Sequence, residues 1–269
     1  MLSFPISKIN LGLYVTEKRT DGYHNLETVF YPIPLRDVLE VIPSTESRIE
    51  VSGKVVAGNT TDNLVWKAFQ LVQQEYPEKV LSSAIYLHKA IPMGAGLGGG
   101  SSDGACMLRI LNDVYHLDLG DERLAELALM LGSDCPFFIY GKPMFASGRG
   151  EELTPIALDL SAYSIQVICP DLHVSTATAF SLLHPTPAAT DLRQLASLPM
   201  ASWKDKVSNV FEEAAFRAHP PLQEIKEQLY TQGALYASMS GSGSAIYGIF
   251  EKETKAEIST TLEFESHYL

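Results

Sequence analysis

Along residues 1–60 the apolar residues come in short bursts, broken by Gly, Pro, Asp and Ser, a texture that predicts strands. The expected strands cover residues 2–9, 11–16, 26–32, 37–42 and 49–51. From residue 61 the period changes. Thr61 and Asp62 read as a helix N-terminus ahead of NLVWKAFQLVQQEY, where Leu64, Ala68, Leu71 and Val72 fall at helical spacing. Residues 84–87 predict another strand, and a helical pattern resumes from Ser102 with Ala105, Leu108 and Leu111. A further helix, GDERLAELALMLGS, puts Leu124, Leu127, Ala128 and Leu131 on one face, with Gly132 as its stop.

The texture changes again near residue 155. Residues 165–169 predict a strand, and residues 176–183, 207–218 and 222–232 predict helices. GALYASMSGSGSAIYGIF reads as strand, glycine turn, strand. Residues 185–190 predict a loop and residues 252–264 a closing helix. Strands and helices mix in both halves without a strict βαβ repeat or internal repetition. The expected fold class is α+β in two domains, residues 1–155 and 156–269.

Composition narrows the function. A chain of 269 residues with 46% hydrophobic and 19% charged residues has material for a sizeable core. Its formal net charge of −12 argues against broad nucleic-acid or anionic-membrane binding, both of which want a basic face. Cys106, Cys135 and Cys169 are scattered, with no CxxC pair, and the seven histidines show no zinc-like spacing. The opening MLSFPISKINLGLYV lacks an uninterrupted apolar core and a cleavage site, and no 18-residue apolar run follows. The expected setting is the cytoplasm, as a monomer or weak homodimer acting on small molecules.

One stretch calls for a ligand. PMGAGLGGGSSDGA, residues 92–105, carries five glycines between Gly94 and Gly100 and then feeds a helical pattern. Bare backbone at a helix start lets N–H groups approach phosphate oxygens, and the helix dipole adds about half a positive charge. Three templates compete. GxGxxG is satisfied but weak alone, and no acidic residue closes a second parallel strand about 20 residues on. Walker A fails, because Gly100 stands where a lysine is required. The third, Pro-x-x-x-Gly-Leu-Gly-x-x-x-Ser, is met by Pro92, Gly96, Leu97, Gly98 and Ser102.

That third template belongs to the GHMP kinases, and the chain resembles them over most of its length. SKINLGLYV, DGYHNLETVF, PMGAGLGGGSSDGA, LGSDCPFF and MSGSGSAIYGIF carry the resemblance, with SNVFE adding a weaker match. DGYHNLETVF beside SKINLGL points to the branch that phosphorylates 4-diphosphocytidyl-2-C-methyl-D-erythritol. The resemblance implies an N-terminal domain like ribosomal protein S5, a ferredoxin-like C-terminal domain, and transfer of the ATP γ-phosphate to the 2-hydroxyl of the methylerythritol unit. Homoserine or mevalonate as the alcohol, or a nucleotide-binding protein without turnover, are the rival readings.

What the resemblance implies can be stated residue by residue. Lys8 and Asp134 fall on the catalytic pair. Pro92, Met93, Gly94, Ala95, Gly96, Leu97, Gly98, Gly99, Gly100, Ser101 and Ser102 would hold the ATP phosphates, and Asn63 and Lys89 would line the adenine pocket. Tyr23 and His24 match the cytidine segment, and Phe180 stands where a second stacking aromatic is expected. The plain alternatives are a loop aromatic covering core for Tyr23 and a buried helix residue for Phe180. Asn10 would reach the substrate hydroxyl, and Gly241 and Gly243 the substrate diphosphate. Mg²⁺ is expected to accompany ATP, riding on phosphates and water rather than in a carboxylate cage.

Overall fold

The computed structural model describes residues 1–54, 59–181, 183 and 185–269. The chain divides into two compact units, each discontinuous in sequence. The textural change near residue 155 falls inside the second of them, between strands Glu152–Pro155 and Tyr163–Pro170.

The first unit comprises Met1–Lys8, Pro32–Met93 and Gly98–Lys142. Its sheet runs in the order Leu2–Ser3, Val38–Pro43, Ser83–Lys89, Arg48–Gly53. The last pair is parallel, with Ile49 opposite Ile85, and the other pairs are antiparallel. Helices Leu64–Glu75, Gly99–Val114, Asp121–Leu131 and Cys135–Tyr140 complete it. Val65, Ala68, Phe69 and Val72 are buried along the first helix, which accords with the apolar spacing there. Gly104 lets two helices close on one another, since a Cβ there would lie 3.1 Å from Leu64 Cβ. Two boundaries differ from expectation. Residues 60–62 form a single 3₁₀ turn, and the helix starts at Leu64 because the Asn63 side chain accepts from Val65 N–H at 2.9 Å. The glycine helix starts at Gly99 rather than Ser102, because Gly98 takes the left-handed φ of 73° that turns the chain into it.

The second unit comprises Ile9–Tyr31, Gly94–Leu97 and Pro143–Leu269. Strands Ile6–Lys18 and His24–Arg36, whose residues 9–18 and 24–31 belong here, continue through Met144–Ser147 to Glu152–Pro155. The expected break after residue 9 does not occur. Gly12, at φ 71°, lies within the strand, and the position takes glycine because a Cβ would strike Leu192 and Val207 at 2.8 and 2.9 Å. A second sheet, antiparallel throughout, has the order Tyr236–Met239, Ile246–Glu251, Tyr163–Pro170, Phe264–Tyr268. Numbered within that segment the order is 2-3-1-4, the ferredoxin-like arrangement. Helices Thr176–Ser181, Trp203–Lys206, Glu212–Ala218 and Pro220–Thr231 accompany it. Leu222, Ile225, Leu229, Ala237, Met239, Ile246 and Phe250 pack a common core. Of the helix expected over residues 176–183, Leu182 lies outside the described residues.

Two expectations fail in this unit. Residues 207–211 are not helical: Leu13 bonds the Ser208 carbonyl at 2.9 Å and accepts from Val210 at 2.9 Å, so the segment lies along a strand until Glu212. The closing helix over residues 252–264 is absent as well. Three glutamine side chains take the place of its ladder. Gln166, Gln232 and Gln228 each donate to and accept from one backbone unit, at Ala256, Glu257 and Ser259, with bonds of 2.7–2.9 Å. Among the described residues no helix is long and apolar enough to cross a membrane.

Candidate active site

Two side chains far apart in the sequence meet in the first unit. Lys8 sits on the long strand Ile6–Lys18, and Asp134 precedes the short helix Cys135–Tyr140. Lys8 Nζ lies 3.7 Å from Asp134 Oδ2. The lysine side chain is 4% exposed and the carboxylate 37%, so the pair has a buried cation and an accessible base. Burial pulls the Lys8 pKa below the ordinary lysine value, and the charge and hydrogen bond of Asp134 oppose that pull. Gly132 O accepts from Cys135 N–H at 3.1 Å, which fixes the turn presenting Asp134.

The glycine helix starts against the same lysine. A Cβ on Gly98 would lie 2.8 Å from the Phe138 ring and 3.2 Å from Lys8 Cγ, so only glycine fits. The first bond of the helical ladder is Ser102 N–H to Gly98 O at 2.9 Å, and Gly98, as the N-cap, supplies no side-chain cap. The amides of Gly99, Gly100 and Ser101 therefore precede the ladder, as the first N–H groups of any helix do. At Gly100 a Cβ would meet nothing within 4 Å, which leaves open space beside these amides. Ser102 is buried. Ser101 is half-buried and bonds the Cys135 thiol, whose pKa burial pushes up to about 12. The three cysteines are free.

Asn63 and Lys89 have their side chains engaged locally. Asn63 caps its helix, and Lys89 is buried in an ion-pair cluster with Asp37 and Asp103. The sequence offers no sign of that cluster.

In the second unit the expected residues form two groups. One surrounds Ser240. Its Oγ donates to Gly96 O at 2.9 Å and accepts from Asn10 N–H at 3.3 Å, while Tyr247 donates to Asn10 O at 2.7 Å. The Asn10 side chain donates to Thr28 Oγ1 at 3.0 Å. Gly241 packs against Gly96, where an added Cβ would lie 3.1 Å from Gly96 Cα. Asn209, in the SNVFE match, donates to Met239 O and Gly241 O, both at 2.8 Å, and so holds the turn. Glu212, in the same match, accepts from Met239 N–H at 2.9 Å. The other group is aromatic. His24 and Phe180 stack with centroids 5.1 Å apart, and Phe180 meets Phe211 edge-on. Tyr23 is 57% exposed and carries the Arg149 guanidinium 5.1 Å from its ring centroid. Asn209 and Glu212 lie in the SNVFE match without a role read for them there, and sequence pattern does not single out Arg149, whose stacking leaves no periodic trace.

Comparison with known proteins decides the lineage. The GHMP kinase N-terminal domain model matches residues 63–142 and the GHMP kinase C-terminal model residues 186–263. The chain belongs to the GHMP kinase family. Within the family it is 47% identical, over 100% of its length and 97% of the relative's, to a 4-diphosphocytidyl-2-C-methyl-D-erythritol kinase of Bacteroides fragilis (strain YCH46). A kinase of the same name from Bacteroides thetaiotaomicron is 49% identical over 94% of this chain and 93% of its own. This GHMP kinase also superposes on the crystal structure of a 4-(cytidine 5'-diphospho)-2C-methyl-D-erythritol kinase. That match has a TM-score of 0.80 and 34% identity, covering 93% of this chain and 90% of the other. A homoserine kinase from Cytophaga hutchinsonii, at 17% identity and TM-score 0.66, shares the fold alone.

Proposed function

We propose that the protein transfers the γ-phosphoryl group of ATP to the 2-hydroxyl of 4-diphosphocytidyl-2-C-methyl-D-erythritol, giving ADP and the 2-phosphate. The observation that carries this reading is the Lys8–Asp134 pair standing against Gly98 at the start of the glycine helix. The names of the full-length relatives supply the alcohol.

Phosphoryl transfer needs alignment and charge stabilisation more than covalent help. Asp134, half-exposed, accepts the proton of the hydroxyl as its oxygen attacks the γ-phosphorus. A new P–O bond forms, the bond to the β-phosphate oxygen breaks, and the electron pair leaves with ADP. Lys8 orients Asp134 and steadies the charge on the transferring oxygens. The amides of Gly99, Gly100 and Ser101 grip the phosphates, with the helix dipole behind them. Asn63 and Lys89 shape the nucleotide site through the backbone they fix. Asn10 approaches the reacting hydroxyl, Gly241 and Gly243 flank the substrate diphosphate, and Tyr23, His24 and Phe180 hold the cytidine.

Among the described residues no three His, Cys, Asp or Glu side chains are placed to hold a metal ion. Mg²⁺ would arrive on the nucleotide and neutralise phosphate charge there. The enzyme works in the cytoplasm on small molecules, as a monomer or weak homodimer.

The test is ADP release with ATP and the cytidyl alcohol, set beside homoserine and mevalonate. Release with the cytidyl alcohol alone is expected. Equal release with a plain alcohol, or none with the cytidyl compound, overturns the reading.

A further inference from the structure

The glycine helix is braced by charges that the reaction does not use. Lys89 ends the strand Ser83–Lys89, is buried, and bonds two buried carboxylates, Asp37 and Asp103. Its ammonium lies 2.5 Å from Asp103 Oδ2. The other Asp37 oxygen accepts from the Ala90 and Ile91 amides at 2.6 and 2.8 Å, and those residues lead directly into Pro92. Asp103 lies in the second turn of the helix Gly99–Val114. One ammonium thus ties the chain entering the glycine loop to the helix leaving it. It also presses on the helix start, for a Cβ on Gly99 would lie 3.3 Å from Lys89 Nζ.

Two carboxylates on one ammonium carry an excess negative charge when both are ionised. Asp103 Oδ1 is buried with no hydrogen-bond partner among the described residues, a costly place for a charged oxygen. Burial raises the Asp103 pKa to about 8, with Lys89 pulling it down and Asp37 adding to the rise. At neutral pH the cluster therefore holds a proton and balances its charge. Lys89 and Asp37 are the charged groups facing Asp103. Cys106, one turn on along its own helix, is a thiol raised to about 11 by burial and stays neutral.

We propose that Asp103 is a positioning residue for the nucleotide: through Lys89 and Asp37 it fixes the place and the field of the glycine helix's first turn. The proposal rests on the reading that the ATP phosphates lie at that helix start. An ionised Asp103 puts a negative charge behind amides that must meet an anion, and a missing carboxyl unties the helix from the strand.

The experiment measures the Kd for ATP with Mg²⁺, and the Kd for the cytidyl alcohol, by calorimetry from pH 7 to pH 9. Asp103→Leu is expected to weaken ATP about tenfold, with the alcohol unchanged. Asp103→Asn, which keeps an oxygen toward Lys89 and no charge, is expected to restore ATP binding at pH 7. Wild-type ATP binding is expected to weaken about threefold toward pH 9 beyond any change in Asp103→Asn, because the variant keeps every other ionisable group. A lowered Tm for Asp103→Leu with unchanged ATP Kd overturns the proposal, as does an identical pH profile for wild type and Asp103→Asn. Should the leucine variant fail to fold, that pH comparison decides. ATP binding in wild type that ignores Asp103 faults this proposal alone, and a wild type that binds no ATP overturns both readings.

Discussion

Two glycine turns of this molecule look alike in sequence and differ in what their backbones do. In the SGSG turn neighbouring groups already occupy the backbone. Asn209 takes the Met239 and Gly241 carbonyls, Ser240 N–H bonds Ala245 O, and Gly243 N–H bonds Ser240 O. Its glycines are there for space and conformation: Gly243 has φ 96°, and a Cβ added to it would lie 2.8 Å from Met239 Sδ. At residues 98–101 the amides precede the helical ladder, the N-cap Gly98 has no side chain to bond them, and Gly100 faces open space. Glycine content alone does not tell how a backbone would serve a ligand. The difference lies in which backbone groups are already bonded: the helix start leaves amides for phosphate oxygens, while the SGSG turn is held in one shape by its neighbours.

That contrast can be broken at four points. Asp134→Asn should fold normally and lose at least about 100-fold in kcat, as expected when a positioned base is removed. Near-normal turnover would refute its role. Gly98→Val forces a branched side chain into φ 73°, toward Phe138 and Lys8. It should cost about 1–3 kcal/mol of stability and weaken ATP, measured by thermal melts with and without nucleotide. Asn209→Ala strips the SGSG turn of two of its bonds and should cost about 1–3 kcal/mol, with the ATP KM unmoved. A changed ATP KM there would blur the distinction. Gly100→Ala is the smallest and most pointed test. Its Cβ meets nothing, so stability should hold or rise by up to about 1 kcal/mol, while ATP KM rises a fewfold. A stabilised variant with wild-type ATP KM would show that no phosphate lies beside Gly100.

Much of the fold is legible in the sequence. The spacing of Leu64, Ala68 and Val72 marks a real helix, and the apolar runs mark the strands around Ile85 and Val167. Lys8 and Asp134 are paired only through the family's motifs, because no local pattern links a strand residue to a distant turn. What stays hidden are bonds between side chain and backbone. Nothing in KETKAEISTTLEF shows that glutamines elsewhere will occupy its amides, so a helix looks reasonable there. Thr61 and Asp62 are as good a cap as Asn63 on composition, and geometry chooses Asn63. Asp37, Lys89 and Asp103 converge from three segments, and each alone reads as an ordinary polar residue.

The glutamine brackets along residues 256–259 carry a consequence for the ageing of the purified protein. Each amide gives a proton to a backbone carbonyl and takes one from the N–H of the same residue, so hydrolysis of a single side chain to glutamate would set an oxygen against the carbonyl it formerly served. Deamidation at Gln166, Gln228 or Gln232 should therefore peel back the stretch before the last strand, and show first as faster deuterium uptake at Ala256, Glu257 and Ser259.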